Sequence, residues 1–317
     1  MGIANYIKEI GRGKEGARSL DRSQAFDLLS AVLDGQLSDL ELGAFAIAMR
    51  IKGETLDELD GFLAAVHAHC VPLVPPGTAV VLPSYNGARK LPNLTPLLAL
   101  LLAAEGVPVL VHGPAHDAGR VTTAEIFHDL GLPAISEPRE IERAWARREP
   151  VFITTEALCP PLARLLDVRR VLGLRNSGHT VAKLLDPCPP GSAMRVVNYT
   201  HPEYATTLAG FLQQTGAHAL LMRGTEGEPV ADPRRIPRHD VFVAGQLRPE
   251  LGMAAQDGVL SELPVLPRTC DAATTAIYIQ SVLSGEKPAP PSITAQVNCV
   301  LRALEAVTAL QDHQHSA

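Results

Sequence analysis

Phe26, Leu29 and Leu33 fall at helical spacing, as do Leu42, Phe45 and Met49, and then Leu59, Leu63 and Val66. Ser19, Ser38 and Thr55 stand where N-caps would be, and Gly35 and Gly53 follow the expected helix ends. The pattern predicts a small all-helical N-terminal domain over residues 1–72, joined in space by a later helical segment. A proline-rich stretch, VPLVPPGT at 71–78, closes it. Beyond it the rhythm changes. AVVLPS, VPVLVHG, PVFITT, AMRVVNY and AHALLMRG are short β-like runs, separated by helical stretches such as LTPLLALLLAAEG and PEYATTLAGFLQQTG. Strands that alternate with helices imply a larger α/β domain, residues 78–317, around a mainly parallel central sheet. Two helices about a Pro-rich turn, from Cys270 onward, are expected to close it. Ligands of such sheets gather at the carboxyl ends of the strands. That singles out three loops: Pro83 to Asn93, His112 to Thr123, and Arg223 to Glu228.

Composition narrows the function classes. In 317 residues the apolar share is 46% and the charged share 20%, as in ordinary globular chains. Aromatic residues are 4%, too few for a binder built on base stacking. The formal net charge is -6, so any nucleic-acid contact has to come from local clustering of cations. Five dispersed cysteines without a CxxC pair read as reduced thiols of a cytoplasmic protein and argue against zinc. The polar first residues lack a signal peptide's apolar segment. The longest apolar run, Leu94 to Leu102, is broken by Thr95 and Pro96 and is too short for a membrane span. GxSxG, HExxH, Walker A and GxGxxG are all absent.

The stretch VVLPSYNGARKLPNLTPLL reads as strand, glycine turn and helix, the layout of a phosphate-gripping loop. With HG at 112–113, VRRVLGLR at 168–175 and RGTEGE at 223–228, the chain resembles the anthranilate phosphoribosyltransferase and nucleoside phosphorylase superfamily. IKEIGRGK, LELGAFAIAMRIKGE, PSYNGARKLPNLTPLLA and RNSGHTVAKL resemble its YbiB-type branch, which is associated with nucleic-acid binding. The resemblance implies the transferase fold, and a homodimer built through the N-terminal helices.

It also implies a phosphoribosyl pyrophosphate site that has been dismantled. The family's Gly-Thr-Gly-Gly-Asp loop becomes SYNGAR, in which Gly87 is the surviving glycine and Tyr85 crowds the approach. The vestigial site comprises Ser84, Tyr85, Asn86, Gly87, Asn93, Thr95, His112, Gly113 and Glu226. The family's KHGNRS is VHGPAH here, and its Mg²⁺-holding Asp-Glu pair falls on Pro229 and Val230. Hence no metal and no cofactor are expected, with Mg²⁺ entering only if the chain is an enzyme. Glu226 and Glu228 could hold a metal, but a pairing with Arg223 is the expected arrangement.

Candidate phosphate contacts for DNA or RNA are Lys8, Arg12, Lys14, Arg18, Arg89, Lys90, Arg169, Arg170 and Lys183. Each could equally be a solvated charge or an ion-pair partner, Arg169 with Asp167 for example. Arg169 matches the family's anthranilate-contacting arginine. Two functions follow: a sequence-independent nucleic-acid binder on a disabled transferase scaffold, or a pentosyltransferase with an atypical acceptor. A third, binding of a phosphorylated metabolite without turnover, is compatible with the surviving residues.

Overall fold

The structure is a computed structural model that describes residues 3–13 and 15–315, side chains of 313–315 excepted. Along the chain run α1 (Ala4–Ile10), α2 (Arg22–Leu33), α3 (Asp39–Lys52), α4 (Leu56–His69), β1 (Ala79–Pro83), α5 (Thr95–Ala104) and β2 (Val109–Gly113). Then come α6 (Thr123–Asp129), α7 (Pro138–Ala146), β3 (Val151–Thr154), α8 (Thr155–Leu158), α9 (Pro160–Leu172), α10 (Ser177–Ala182), β4 (Ala193–Tyr199) and α11 (Glu203–Gln214). β5 (Ala219–Arg223), β6 (His239–Val243), β7 (Gln246–Leu247), α12 (Ala272–Leu283) and α13 (Pro291–His315) complete it.

The chain forms two compact units, Met1–Pro72 with Thr155–Pro187, and Leu73–Thr154 with Cys188–Ala317. In the helical unit, α2 packs on α4, α1 on α3, and α10 on α3, α4 and α9. Asp21, Ser38 and Thr55 cap α2, α3 and α4, each in a reciprocal capping box with the residue three positions on. The cap of α2 falls at Asp21, two residues beyond the expected Ser19. Glu58, in the box of α4, is fully buried. It accepts from the Leu20 N–H at 2.9 Å and pairs with Lys52 at 2.6 Å, which ties α3, α4 and the segment before α2 together.

The α/β unit is a seven-stranded sheet in the order β3-β2-β1-β4-β5-β6-β7. The first five strands are parallel, and β6 and β7 add an antiparallel edge. β1, β2 and β4 are buried nearly throughout, which is why they read as mostly apolar runs, broken by His112 in β2 and by Arg195 and Asn198 in β4. The order reverses beside β1: β2 lies on one side and β4 on the other. Such a switch point opens a crevice at the strands' carboxyl ends. α5, α6, α12 and α13 cover the sheet through a core that includes Leu97, Leu102, Phe127, Ile279 and Val300. α13 is long and apolar enough to cross a membrane by length and composition. Its residues Ile293, Val297, Val300, Ala303 and Val307 are buried against that sheet, so its apolar face belongs to the core.

Candidate functional site: a phosphate-type cup closed by two glutamates

The loop after β1, at the switch point, sets its backbone N–H groups toward one side. Gly87 has φ +64, and a Cβ there would come within 2.9 Å of the Val121 carbonyl oxygen. Only glycine allows this backbone to approach the β2–α6 loop, where Ala88 and Val121 exchange two hydrogen bonds of 2.9 Å. Gly113 is held to glycine for a like reason: a Cβ would lie 1.9 Å from the Ser84 carbonyl oxygen.

The loop after β5 turns back sharply. Glu226 (φ +52) and Gly227 (φ +88) are its central residues, and the Glu228 N–H bonds the Thr225 carbonyl at 2.9 Å. Positive φ at both central positions is the signature of a type I′ turn. A glutamate there is strained, on the order of 1–3 kcal/mol. The turn carries both carboxylates to the β1 loop. Glu228 is 1% exposed. One of its oxygens accepts from the Asn86 and Gly87 N–H groups, each at 2.7 Å. The other accepts from the Ser84 hydroxyl and, at 3.4 Å, from the Thr95 hydroxyl. Glu226 accepts from the backbone N–H groups of Lys90 (2.7 Å), Leu91 (2.9 Å) and Arg89 (3.2 Å), with Arg120 at 3.7 Å. The Asn86 side chain closes the ring on the Glu226 carbonyl at 2.7 Å.

The three loops marked in the sequence therefore meet, and so do the residues of the vestigial set. Asn93 donates to Thr123 and accepts from the Thr95 N–H, which fixes the start of α5. Ser84 and Thr123 share a hydroxyl contact of 2.7 Å. His112 is fully buried, its Nδ1 2.9 Å from the Tyr85 hydroxyl, with the two rings edge to face. Tyr85 is thus folded down onto His112.

One expectation is overturned. Glu226 and Glu228 do not pair with Arg223. Their oxygens are taken up by loop N–H groups, hydroxyls and Arg120, and Arg223 makes no ion pair among the described residues. Charge-assisted bonds to several backbone donors outweigh a single exposed guanidinium. Among the described residues no cluster of three or more His, Cys, Asp or Glu side chains is placed to hold a metal.

The candidate cations divide by environment. Arg89 and Lys90 are exposed in the loop whose backbone Glu226 holds. In the helical unit Lys8 lies exposed in the last turn of α1, while Arg12 donates to the Lys8 carbonyl at 2.8 Å and pairs with Glu9 at 3.1 Å. Arg18 reaches the same Glu9 at 4.0 Å. Lys14 lies outside the described residues. On α9 Arg170 pairs with Asp167 at 3.1 Å. Arg169, Arg175 and Lys183 all lie close enough to His179 to act on it electrostatically. Burial, and then these cations, press its imidazole down to about 3. No sequence pattern marks His179, because Arg169, Arg175 and Lys183 reach it from α9, from the loop after it and from the end of α10.

Residues 4–70 match the helical bundle domain of the glycosyl transferase family, and residues 86–309 match that family's a/b domain. The chain belongs to this family. Within it the chain is of YbiB type: it is 43% identical over 315 residues to the uncharacterized protein YbiB of Escherichia coli (strain K12), covering 98% of this chain and 97% of that one. It is also 29% identical over 226 residues to an anthranilate phosphoribosyltransferase of Methanopyrus kandleri, covering 70% of this chain and 66% of that protein. Among solved structures, the anthranilate phosphoribosyltransferase of Thermus thermophilus superposes with a TM-score of 0.71 at 22% identity, over 94% of this chain and 86% of that one. The Saccharomyces cerevisiae enzyme in complex with PRPP and Mg gives 0.70 at 15%, over 99% and 96%. These two likenesses establish the common fold.

Proposed function

We propose that this chain is a non-catalytic member of its family that holds the sugar-phosphate backbone of DNA or RNA, with little dependence on sequence. The observation that carries this reading is the Glu228 carboxylate seated on the Ser84, Asn86 and Gly87 donors. In the transferases that this loop resembles, those donors grip a diphosphate. Here an internal anion takes them, and Glu226 takes the N–H groups of Arg89, Lys90 and Leu91. Transfer of a pentosyl group needs that diphosphate stabilised as it leaves. What the loop still offers to solvent is charge, on Arg89 and Lys90. A second concentration of cations surrounds His179. Polymer backbones are bound by such charge without fine geometric fit. A homodimer would double the footprint. The apolar groove of about 270 Å³ between α1 and α3, near the exposed Ile51, is where we place its interface.

The test is fluorescence anisotropy of labelled single- and double-stranded oligonucleotides at two salt concentrations. We expect binding that weakens steeply with salt and falls on charge reversal at Arg89 and Lys90. Absence of binding at low salt would sink the proposal. The alternative, a pentosyltransferase with an unusual acceptor, requires tight uptake of phosphoribosyl pyrophosphate with Mg²⁺. The occupied cup predicts no such uptake.

A further inference from the structure

Adjoining the closed cup, and sharing Lys90 and Glu226 with it, a cleft of about 620 Å³ lies at the carboxyl ends of β4 and β5. Lys90, Arg223, Arg234, Arg235 and Arg238 line it. The acids that line it are Glu226, Asp232 and Asp257, and Asp240 offsets Arg238 from outside the lining, which leaves an excess of one positive charge in a chain whose net charge is -6.

The pairing inside the cleft is uneven. Arg234 forks onto Asp232 at 3.0 and 2.9 Å. Arg238 is held by Asp240 at 2.7 Å. Glu226 is engaged by the β1 loop and Arg120. Arg223 and Arg235 are exposed and form no ion pair among the described residues. Arg235 therefore stands beside an arginine already paired, on a segment that is itself pinned. The Arg234 carbonyl accepts from the Leu260 N–H at 2.8 Å, and the Ile236 carbonyl from the Gln256 N–H at 3.1 Å. Tyr199, half-buried and opposite Arg223 in the sheet register, adds a ring to the wall, and Ile236 and Pro237 add apolar surface.

A guanidinium fork suits a phosphate group, and a phosphate monoester carries about two negative charges near neutral pH. Ligand clefts of this class span about 300–1,000 Å³. We infer that this cleft binds a phosphate monoester carrying an aromatic or apolar body, a nucleoside monophosphate in size and chemistry. Arg223 and Arg235 take the phosphate, and Tyr199 borders the body. The monoester could be a free nucleotide or the phosphorylated end of a nucleic-acid strand. The inference goes beyond backbone binding and does not depend on it.

The experiment is calorimetric titration of the full chain with adenosine 5′-monophosphate, and in parallel with adenosine. We expect the nucleotide to bind at one site per chain and adenosine at least about tenfold more weakly, the scale of one charge-assisted contact. Arg223→Gln and Arg235→Gln should each weaken the nucleotide by about tenfold, with unfolding midpoints unchanged because both side chains are exposed. Equal binding of adenosine, no nucleotide binding up to millimolar concentration, or full binding by the double variant would each overturn the inference. An oligonucleotide with a 5′-phosphate, compared with its 5′-hydroxyl twin, separates the two sources. Displacement of only the phosphorylated strand by the nucleotide assigns the site to strand ends, and no displacement assigns it to the free nucleotide. Oligonucleotide binding without nucleotide binding would remove the cleft and leave the backbone reading in place; the converse would do the opposite.

Discussion

At the scale of the residue, Glu228 decides the chemistry of the crevice. Truncation to alanine would strip the Asn86 and Gly87 N–H groups of their acceptor inside a buried site. We expect Glu228→Ala to cost about 3 kcal/mol in denaturant unfolding, the scale of a lost buried charged partner. Inorganic phosphate should then raise the variant's thermal midpoint more than the wild type's, because the vacated donors suit an oxyanion. His179 makes a second case. Its folded pKa of about 3 lies below the ordinary value of 6.5, so between those values the unfolded chain binds the extra proton. Stability must therefore rise with pH across that window and fall as pH drops through it. His239, pressed down to about 4 mainly by burial, acts in the same sense. In His179→Gln, glutamine can still serve the reciprocal cap of α10. Thermal midpoints measured from pH 7 to pH 5 should decline less in this variant than in the wild type. The sequence marked the loop residues of the cup but misassigned the two glutamates. Arg223 is the nearest cation along the chain, and no string of letters reveals that a glutamate accepts φ +52 to turn its carboxylate elsewhere.

At the scale of the element, what was legible followed the apolar periodicity. The strands of the parallel sheet are short, mostly apolar runs, and helices such as α5 and α11 carry apolar residues at helical spacing, so the chain reads these out directly. α7 was not legible, because its nine residues, PREIERAWA, carry four charges and bury only Ile141, Ala144 and Trp145. Nor was the β6–β7 edge, whose two strands join through Ala244 (φ +48) and Gly245 (φ +75). That is again a primed turn, but built on Ala-Gly in place of the usual Asn-Gly or Asp-Gly. Stretch 155–187 packs with the helical unit through α2·α9 and α10·α4 contacts, which no local pattern specifies in detail. The β1 loop supplies the prediction at this scale. Gly87→Ala should destabilise by about 1–3 kcal/mol, through both its positive φ and the Val121 carbonyl at 2.9 Å. Urea midpoints would check it, and an unchanged midpoint would mean that the loop yields to admit the methyl group.

For the molecule as a whole, the balance of charge is the issue. A chain of net charge -6 can hold a polyanion only where cations outnumber acids locally. Such binding has a measurable signature: the logarithm of affinity falls linearly with the logarithm of salt, by about 0.9 per phosphate contact on duplex DNA. Charge reversal at Arg89 or Lys90 should lower that slope by about one each, uniformly across sequences. A slope near zero in the wild type would mean that the cations do not act as proposed.

The closed cup has one more consequence. Because Glu228 is tethered to the loop that it fills, it competes with outside anions as an intramolecular ligand. Short tethers correspond to effective concentrations of millimolar or above. A diffusing phosphate has to displace a carboxylate that is always present and already desolvated. The loop's donors are satisfied from within the chain, so this crevice needs no metabolite to hold its shape.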